Sequence, residues 1–266
     1  MRPFALLGAT LVMALGPPET SVAQGQPNPG NSGLAAQLAN PVAALINVPF
    51  QNNLDFGGGR GNALNYTLNV QPVIPFELND SWNLITRTIV PLRYSERIFP
   101  EHRFGLGDTV QSFFFSPRPV DGLTWAVGPV FLYPTGTEGY GARQWAAGPT
   151  GLALKQSGPW LYGVLANHLW SVGGTPDGQQ PANATFVQPF VTYVFPSQTS
   201  LFLNTESTYD WSRRQWTVPI NAGVAQVVNF SGQAVQFSLG ARSYAEAPEG
   251  GPDWGVRFGA NFVFPR

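Results

Sequence analysis

The last segment of the chain, Trp254–Phe264, reads W-G-V-R-F-G-A-N-F-V-F and decides the fold class. Its even-numbered positions are all apolar, whereas its odd-numbered positions are small or polar, with the exception of Val263. This period of two is typical of a β-strand with two unlike faces. The segment is also about as long as a tilted strand that crosses a bilayer, and aromatic residues stand at both ends, where membrane strands meet lipid head groups. It predicts the closing strand of an outer-membrane-type β-barrel. A strand of a soluble sandwich is the alternative.

The composition of the whole chain agrees with a barrel. Charged residues make up 11% of the 266 residues, against about 25% in soluble proteins. The net charge of −1 offers no basic surface for nucleic acid. The mean hydropathy is close to zero, as expected when lipid-facing and water-facing residues alternate. The absence of cysteine excludes disulfides, thiol chemistry and a lipid anchor on an N-terminal cysteine.

The N-terminus has the pattern of a secretory signal. Arg2 supplies positive charge, Phe4–Leu15 is an apolar core, and small residues precede a predicted cleavage site after Ala23. A Pro-, Asn- and Gly-rich tether follows. Residues 34–45 then predict a short helix, and the sequence leaves open whether it lies at the periplasmic mouth or enters the lumen. The predicted regions are a signal peptide (1–23), a tether with a short helix (24–45) and the barrel (46–266).

Alternation continues through the chain and predicts twelve strands, an even number, as single-chain bacterial barrels require. Connections after strands three, five, seven and eleven are long, whereas most of those after even-numbered strands are short, which places both termini in the periplasm. The predicted fold is therefore an all-β, antiparallel up-and-down transmembrane barrel. Its strands are Ile46–Phe56, Asn62–Leu78, Trp82–Tyr94, Leu106–Phe115, Leu123–Tyr133, Gln144–Lys155, Trp160–Val172, Ala184–Phe195, Ser200–Trp211, Trp216–Val228, Ala234–Tyr244 and Trp254–Phe264.

The tryptophans support the same fold, because all eight fall at or near a predicted strand end. Such positions form the aromatic girdle of a membrane barrel, whereas a soluble sandwich more often places tryptophan in its core. The predicted girdle consists of Trp82, Trp125, Trp145, Trp160, Trp170, Trp211, Trp216 and Trp254.

Prolines inside the predicted strands count against regular pairing. Each one lacks a ladder donor, and a closed barrel has no edge strand on which to place it. We expect β-bulges to accommodate some of them. These prolines are Pro49, Pro72, Pro75, Pro91, Pro129, Pro149, Pro189 and Pro219.

Several segments resemble a known family. They are NVQPVIPFELNDSWNLITRTIVPL, GLGDTVQSFFFSP, GPTGLALKQSGPWLYGVLANHLWS and NTESTYDW. They resemble a widespread Gram-negative family of outer-membrane barrels described as transporters, which is similar to the barrels named for the MetA pathway of phenol degradation. The resemblance spans essentially the mature chain and implies an outer-membrane transporter, but carries over no substrate or catalytic residue. The chain departs from many such barrels by ending on Pro265-Arg266 after Phe264.

No catalytic motif stands out, and we expect no enzyme, no cofactor and no metal site. His102 lies beside Glu101 in a predicted loop. His168 shares the lipid-facing parity of its strand, which leaves a lipid-facing hydrolase as a weak alternative. Such a site needs a hydroxyl nucleophile within reach of the histidine, and Ser171 has the opposite parity.

The predicted lumen carries charges of both signs. These charges allow two interpretations: they form a lining that selects a small solute, or they pair across the lumen and keep it closed. The candidate lumen-lining residues are Arg87, Arg93, Asn204, Glu206, Thr208, Asp210, Arg242, Arg257 and Asn261.

We therefore expect a channel or transporter in the outer membrane of a Gram-negative bacterium. It passes small solutes, small hydrophobic or aromatic compounds among them, by passive diffusion, with gating by the loops at 95–104 and 173–183. Its expected partners are outer-membrane lipids, the barrel-assembly machinery and the solute, and not nucleic acid. A closed structural or surface-interaction barrel acting through its extracellular loops is the main alternative.

Overall fold

A computed structural model describes residues 33–59, 63–96 and 103–264. The predicted signal peptide, nearly all of the tether, most of the predicted loop 95–104 and the last two residues lie outside this part of the chain. The described elements are one short helix and fifteen β-segments. They are α1 (Leu34–Ala39), β1 (Ile46–Gly58), β2 (Ala63–Val70), β3 (Val73–Glu77), β4 (Trp82–Ser95), β5 (Arg103–Leu106), β6 (Thr109–Pro117), β7 (Leu123–Tyr133), β8 (Trp145–Ser157), β9 (Trp160–Gly173), β10 (Asn183–Val194), β11 (Thr199–Thr205), β12 (Ser207–Asp210), β13 (Gln215–Phe230), β14 (Gln233–Glu246) and β15 (Trp254–Phe264).

The fifteen segments form a closed barrel of twelve antiparallel strands, as the sequence predicts. Three of the twelve strands are broken in two, namely β2 with β3, β5 with β6, and β11 with β12. Strand β15 closes the barrel by pairing with β1 from Ile46–Phe264 to Phe56–Trp254. Because the sheet closes on itself, no edge strand is left to face lipid unpaired.

The alternation read from Trp254–Phe264 separates outside from inside. Trp254 and Phe258 are 52% and 43% exposed, whereas Arg257 between them is 5% exposed. An apolar outer face of this kind matches the hydrocarbon of a bilayer, and the small and polar residues face the lumen. None of the helices in the described ranges is long and apolar enough to span a membrane.

All three broken strands are interrupted opposite a proline of the neighbouring strand. At the breaks, the backbone N–H of Gln71 donates to Pro49 O, that of Gly107 to Pro91 O, and that of Glu206 to Pro219 O. A proline has no N–H to return to the facing residue, so the ladder loses a bond at that point. Prolines away from the breaks, such as the facing pair Pro129 and Pro149, remain within a regular register.

The break between β5 and β6 reverses which parity of the strand faces the lumen. Phe104 and Leu106 are exposed on the outer face before the break, and after it the inward side chain is Phe114, which is buried. The extra residue turns Asp108 toward the loop 134–144, where its carboxylate accepts the N–H groups of Gly136 and Arg143. A β-bulge thus fixes the direction of Asp108, which the sequence pattern leaves open.

The two ends of the barrel differ in their connections, which gives two names used below. The short-turn end carries the connections 78–81, 118–122, 158–159, 195–198 and 231–232. The long-loop end is the end at which β1 ends and β2 begins, and it carries the connections 134–144, 174–182, 211–214 and 247–253. In barrels of this type the short turns face the periplasm. The single lysine, Lys155, lies at the short-turn end, where its ammonium donates to the carbonyl of Asp121.

Helix α1 and the residues after it enter the lumen from the short-turn end. The N–H of Ala35 donates to the side-chain carbonyl of Gln198 in a short turn. Val42, 3% exposed, packs with inward-facing apolar side chains of the barrel wall. Of the two positions that the sequence leaves open for this segment, the structure has the one inside the lumen. The apolar cluster around Val42 consists of Val73, Ile85, Phe114, Ala126, Leu152, Leu154, Leu161 and Leu165, with Ala39, Phe186 and Phe190 packed against it.

Candidate solute pathway in the barrel lumen

The lumen has an ionic half toward the long-loop end, whereas toward the short-turn end an apolar cluster lines the side of the lumen formed by strands β3 to β10. This differs from the expectation of a lumen that is polar throughout. Strand β9 shows the reason, because Leu161 and Leu165 face inward while Tyr162 and Val164 face lipid. Strands that are apolar on both faces carry no alternation, so the sequence pattern does not separate an apolar lumen wall from a lipid-facing wall.

The nine predicted lumen-lining residues all lie on the inward-facing side of their strands. Four of them line a central cavity: Arg87, Asn204, Arg257 and Asn261. Asn204 accepts a hydrogen bond of 2.9 Å from the buried side chain of Asn221. Asn221 is absent from the predicted set, although it stands on the inward parity of β13.

The strongest contact in the lumen joins Arg257 to Glu206. The guanidinium donates to both carboxylate oxygens, at 2.9 and 2.6 Å, in the bidentate geometry that gives strong charge-assisted hydrogen bonds. Arg257 lies on β15 and Glu206 lies at the break between β11 and β12, so the pair spans the lumen across two intervening strands.

Arg242 forms the second part of this ionic network. It lies 3.2 Å from a carboxylate oxygen of Asp55, donates to the hydroxyl of Tyr244 at 3.0 Å, and shares the side-chain carbonyl of Asn53 with Arg257. Asn53 and Asp55 are absent from the predicted set. Both occupy odd-numbered positions of β1, whose polar parity was already visible in the sequence.

The remaining three predicted residues lie toward the long-loop rim, away from this network. Arg93 donates to the carbonyl of Tyr140 in the loop 134–144. The carboxylate of Asp210 binds the exposed Arg213 at 2.9 Å in the adjoining turn. Thr208 pairs with Thr217 in the ladder. The structure therefore brings some of the predicted residues into one network and leaves these three at the rim.

Between the N-terminal segment and the ionic network lies a cavity of about 240 Å³. Its floor is formed by Leu38, Ala39 and Pro41, and its upper wall includes Arg257. Polar and aromatic side chains share the remaining wall. They include Gln51, Gln71, Arg87, Gln188, Phe190, Thr192, Ser200, Phe202, Asn204, Gln236, Ser238 and Asn261.

The predicted girdle tryptophans lie on the outer wall in two belts. Trp82, Trp125 and Trp160 lie at the short-turn end, and the others lie at the long-loop end. Seven are 40–53% exposed, and Trp82 is half-buried with its ring edge-on to that of Trp125 at 5.7 Å. The long-loop belt contains Trp145, Trp170, Trp211, Trp216 and Trp254.

His168 faces the lipid side and is held by polar groups of the next strand. One ring nitrogen lies 2.7 Å from the hydroxyl of Thr185 and the other 3.1 Å from the side-chain carbonyl of Asn183. Its ring packs against Trp170, and Trp211 donates to the same Thr185 hydroxyl at 2.9 Å. The hydroxyl next to His168 thus comes from the adjacent strand and not from Ser171, which is why the sequence order does not reveal it.

Within the described ranges, no three His, Asp or Glu side chains are arranged to hold a metal ion. The polar groups of the lumen instead bind one another. In this ionic network the charged side chains are paired with one another, whereas the charged groups that line an open pore face water.

The closed twelve-stranded wall, its apolar outer face and the ionic network in its lumen define a β-barrel of the Gram-negative outer-membrane class. No protein-family model matches the chain, and no curated protein matches it either. The resemblance to the phenol-degradation barrels therefore stays a prediction.

Among solved structures, the chain is similar to the COG4313 outer membrane channel from Pseudomonas putida F1. The TM-score is 0.65 at 16% identity, and the match covers 90% of this chain and all of that one. Outer membrane phospholipase A from Escherichia coli gives a TM-score of 0.44 at 14% identity, over 87% of this chain and 97% of that one. The likeness to the channel is a likeness of fold.

Proposed function

We propose that the protein is a passive channel for small solutes and not an enzyme. The observation that carries the proposal is a polar lumen cavity closed on one side by a segment that is not part of the barrel wall. Helix α1 has six residues, and a side-chain bond from Gln198 holds its first turn. Because the barrel register does not depend on this segment, it can leave the lumen without opening the wall.

In this proposal the gate is the N-terminal segment and not the predicted gating loop 173–183, whereas most of the other predicted gating loop, 95–104, lies outside the described residues. The loop 174–182 is anchored to Gln144, which is 1% exposed. The side chain of Gln144 accepts the N–H of Ala182 and donates to the carbonyl of Gln180. A loop fixed by a buried amide is a poor candidate for the moving part.

The test is single-channel conductance in planar bilayers for the wild type and a variant that lacks residues 33–45. We expect small or intermittent currents from the wild type and a larger, steady conductance from the variant. A silent variant that still migrates as a folded barrel would contradict the proposal. It would favour the closed structural barrel, in which the Arg257–Glu206 and Arg242–Asp55 pairs seal the lumen.

A lipid-facing hydrolase is the second candidate, because His168 contacts a hydroxyl through one ring nitrogen and an amide carbonyl through the other. A catalytic base has the same two kinds of neighbour, a nucleophile and a group that orients the ring. Against it, the residues of β10 beside His168 are paired on both edges, Thr185 with His168 of β9 and with Tyr209 of β12. Their N–H groups are therefore not free to stabilise an oxyanion.

Phospholipid hydrolysis in mixed micelles separates the two candidates. We expect no release of fatty acid from the wild type above that from His168→Ala and Thr185→Ala. Hydrolysis that disappears in both variants while conductance is unchanged would establish the enzyme.

A further inference from the structure

The central cavity contains one arginine with no carboxylate partner. Arg87 donates to the neutral side-chain carbonyl of Gln71 at 2.7 Å, and no carboxylate of the described residues lies within 4.0 Å of it. Both oxygens of Glu206 are taken by Arg257. The ionic network contains two arginines and two carboxylates, so Arg87 beside it adds one uncompensated positive charge in a partly enclosed site.

The wall opposite Arg87 is aromatic. Arg87 is on β4, the third strand of the barrel, whereas Phe190 and Phe202 are on β10 and β11, about halfway round. Both rings line the cavity. The ring of Phe202 lies over Gly223 and Gly240, where a Cβ atom would approach its tip to 2.6 and 3.2 Å. The two glycines thus leave room for the Phe202 ring to pack against the wall.

The cavity also has a polar group that the protein leaves unsatisfied. The side-chain carbonyl of Asn261 is buried and has no hydrogen-bond donor, and Asn261 lines the cavity. Buried polar groups are nearly always paired. The unpaired Asn261 oxygen can accept from water or from a donor on the ring of a solute, and it takes no part in binding a carboxylate.

The volume limits what fits. A cavity of about 240 Å³ equals about eight water molecules at roughly 30 Å³ each. It lies below the ~300–1,000 Å³ of pockets for drug-sized ligands. One aromatic ring with one small acidic group is of this size.

We propose that this cavity binds a small aromatic monocarboxylate, with the carboxylate on Arg87 and the ring against Phe190 and Phe202. The proposal rests on the proposed channel function and names the solute class for it. A guanidinium suits a carboxylate because its donors match both oxygens. A neutral ring compound lacks the group that compensates the charge of Arg87, and an aliphatic acid lacks the ring that fills the apolar wall.

The test is isothermal titration of the folded protein in detergent with benzoate, benzamide and acetate. We expect benzoate to bind at least tenfold more tightly than benzamide, which has the ring without the charge. The same margin is expected over acetate, which has the charge without the ring. Arg87→Gln should lower benzoate affinity at least tenfold. Arg118→Gln removes an exposed arginine that pairs with Glu77 and should leave the affinity unchanged.

Phe202→Leu keeps the charge and tests the ring contact, which is useful should Arg87→Gln not fold. It should reduce the preference for benzoate over acetate to less than threefold. Equal binding of benzoate and benzamide, unchanged affinity in Arg87→Gln, or no benzoate binding at all overturns the proposal.

Conductance separates this proposal from the channel itself. If the variant that lacks residues 33–45 conducts but the wild type does not bind benzoate, the proposed channel is supported and the proposed solute class is wrong. Benzoate binding without currents in any variant would leave a ligand site in a closed barrel.

Discussion

At the scale of single residues, the Arg257–Glu206 pair decides how the ionic half of the lumen is held. The two side chains are 6% and 21% exposed, so each charge depends on the other for compensation. Removing one partner of a buried pair leaves an uncompensated charge. The exposed Arg118–Glu77 pair, 61% and 56% exposed, has no such dependence.

Glu206→Gln should therefore lower the free energy of unfolding by about 3 kcal/mol, because Arg257 then lacks a counter-charge. Urea unfolding in micelles, followed by tryptophan fluorescence, measures it. The matched control Glu77→Gln should change stability by less than about 0.5 kcal/mol, because water screens that pair. Equal effects of the two substitutions would show that Glu206 is as well solvated as Glu77.

The sequence pointed to individual members of this network but not to their pairing. Parity alone indicates that Arg257 and Arg242 face inward, and it also indicates Asn53 and Asp55. Which side chains meet depends on how far round the barrel two strands lie, and that distance is a property of the closed sheet. The contact between Arg257 and Glu206 therefore had no local signal.

At the scale of the elements, strand bounds were predictable because lipid on one side and a filled lumen on the other impose alternation. Leu123–Tyr133 and Trp254–Phe264 have the predicted bounds in the structure. The positions of the three strand breaks were not predicted from the sequence, although the prolines inside the strands indicated that pairing would be irregular. A break depends on which residue faces the proline, and this requires the register of the neighbouring strand.

Strand β15 offers a direct test of depth in the membrane. Phe258 lies in the middle of the strand on the lipid side, and Trp254 lies at its long-loop end. Phe258→Arg should cost about 2–4 kcal/mol of folding free energy in bilayers, whereas Trp254→Arg should cost at most about 1 kcal/mol. Reversible urea unfolding in liposomes gives both values. A larger effect at Trp254 would mean that the membrane does not lie at this height.

At the scale of the whole molecule, the barrel wall and the segment inside it are held by different interactions. The twelve strands are hydrogen-bonded in a closed ring, whereas the segment around Val42 depends on packing with the apolar cluster. The proposed gate requires that the wall persist when the segment is released.

Val42→Asp should release the segment, because an isolated carboxylate does not stay in an apolar cluster. The expected result is a folded barrel with increased ion conductance, as measured by heat-modifiable migration in gels and by planar-bilayer recording. Gln37→Asp, at an exposed position of α1, is the control and should conduct like the wild type. Loss of the folded form in Val42→Asp would instead show that the wall needs the segment.

Lys155 carries the only primary amine of any side chain in the chain, and it projects at the short-turn end. This solitary amine is a chemical handle on topology. A membrane-impermeant succinimidyl ester added to whole cells should leave the Lys155 peptide unmodified, and the same reagent after osmotic lysis should acylate it. Mass spectrometry of that one peptide then reports which way round the protein was inserted, without a tag or an engineered residue.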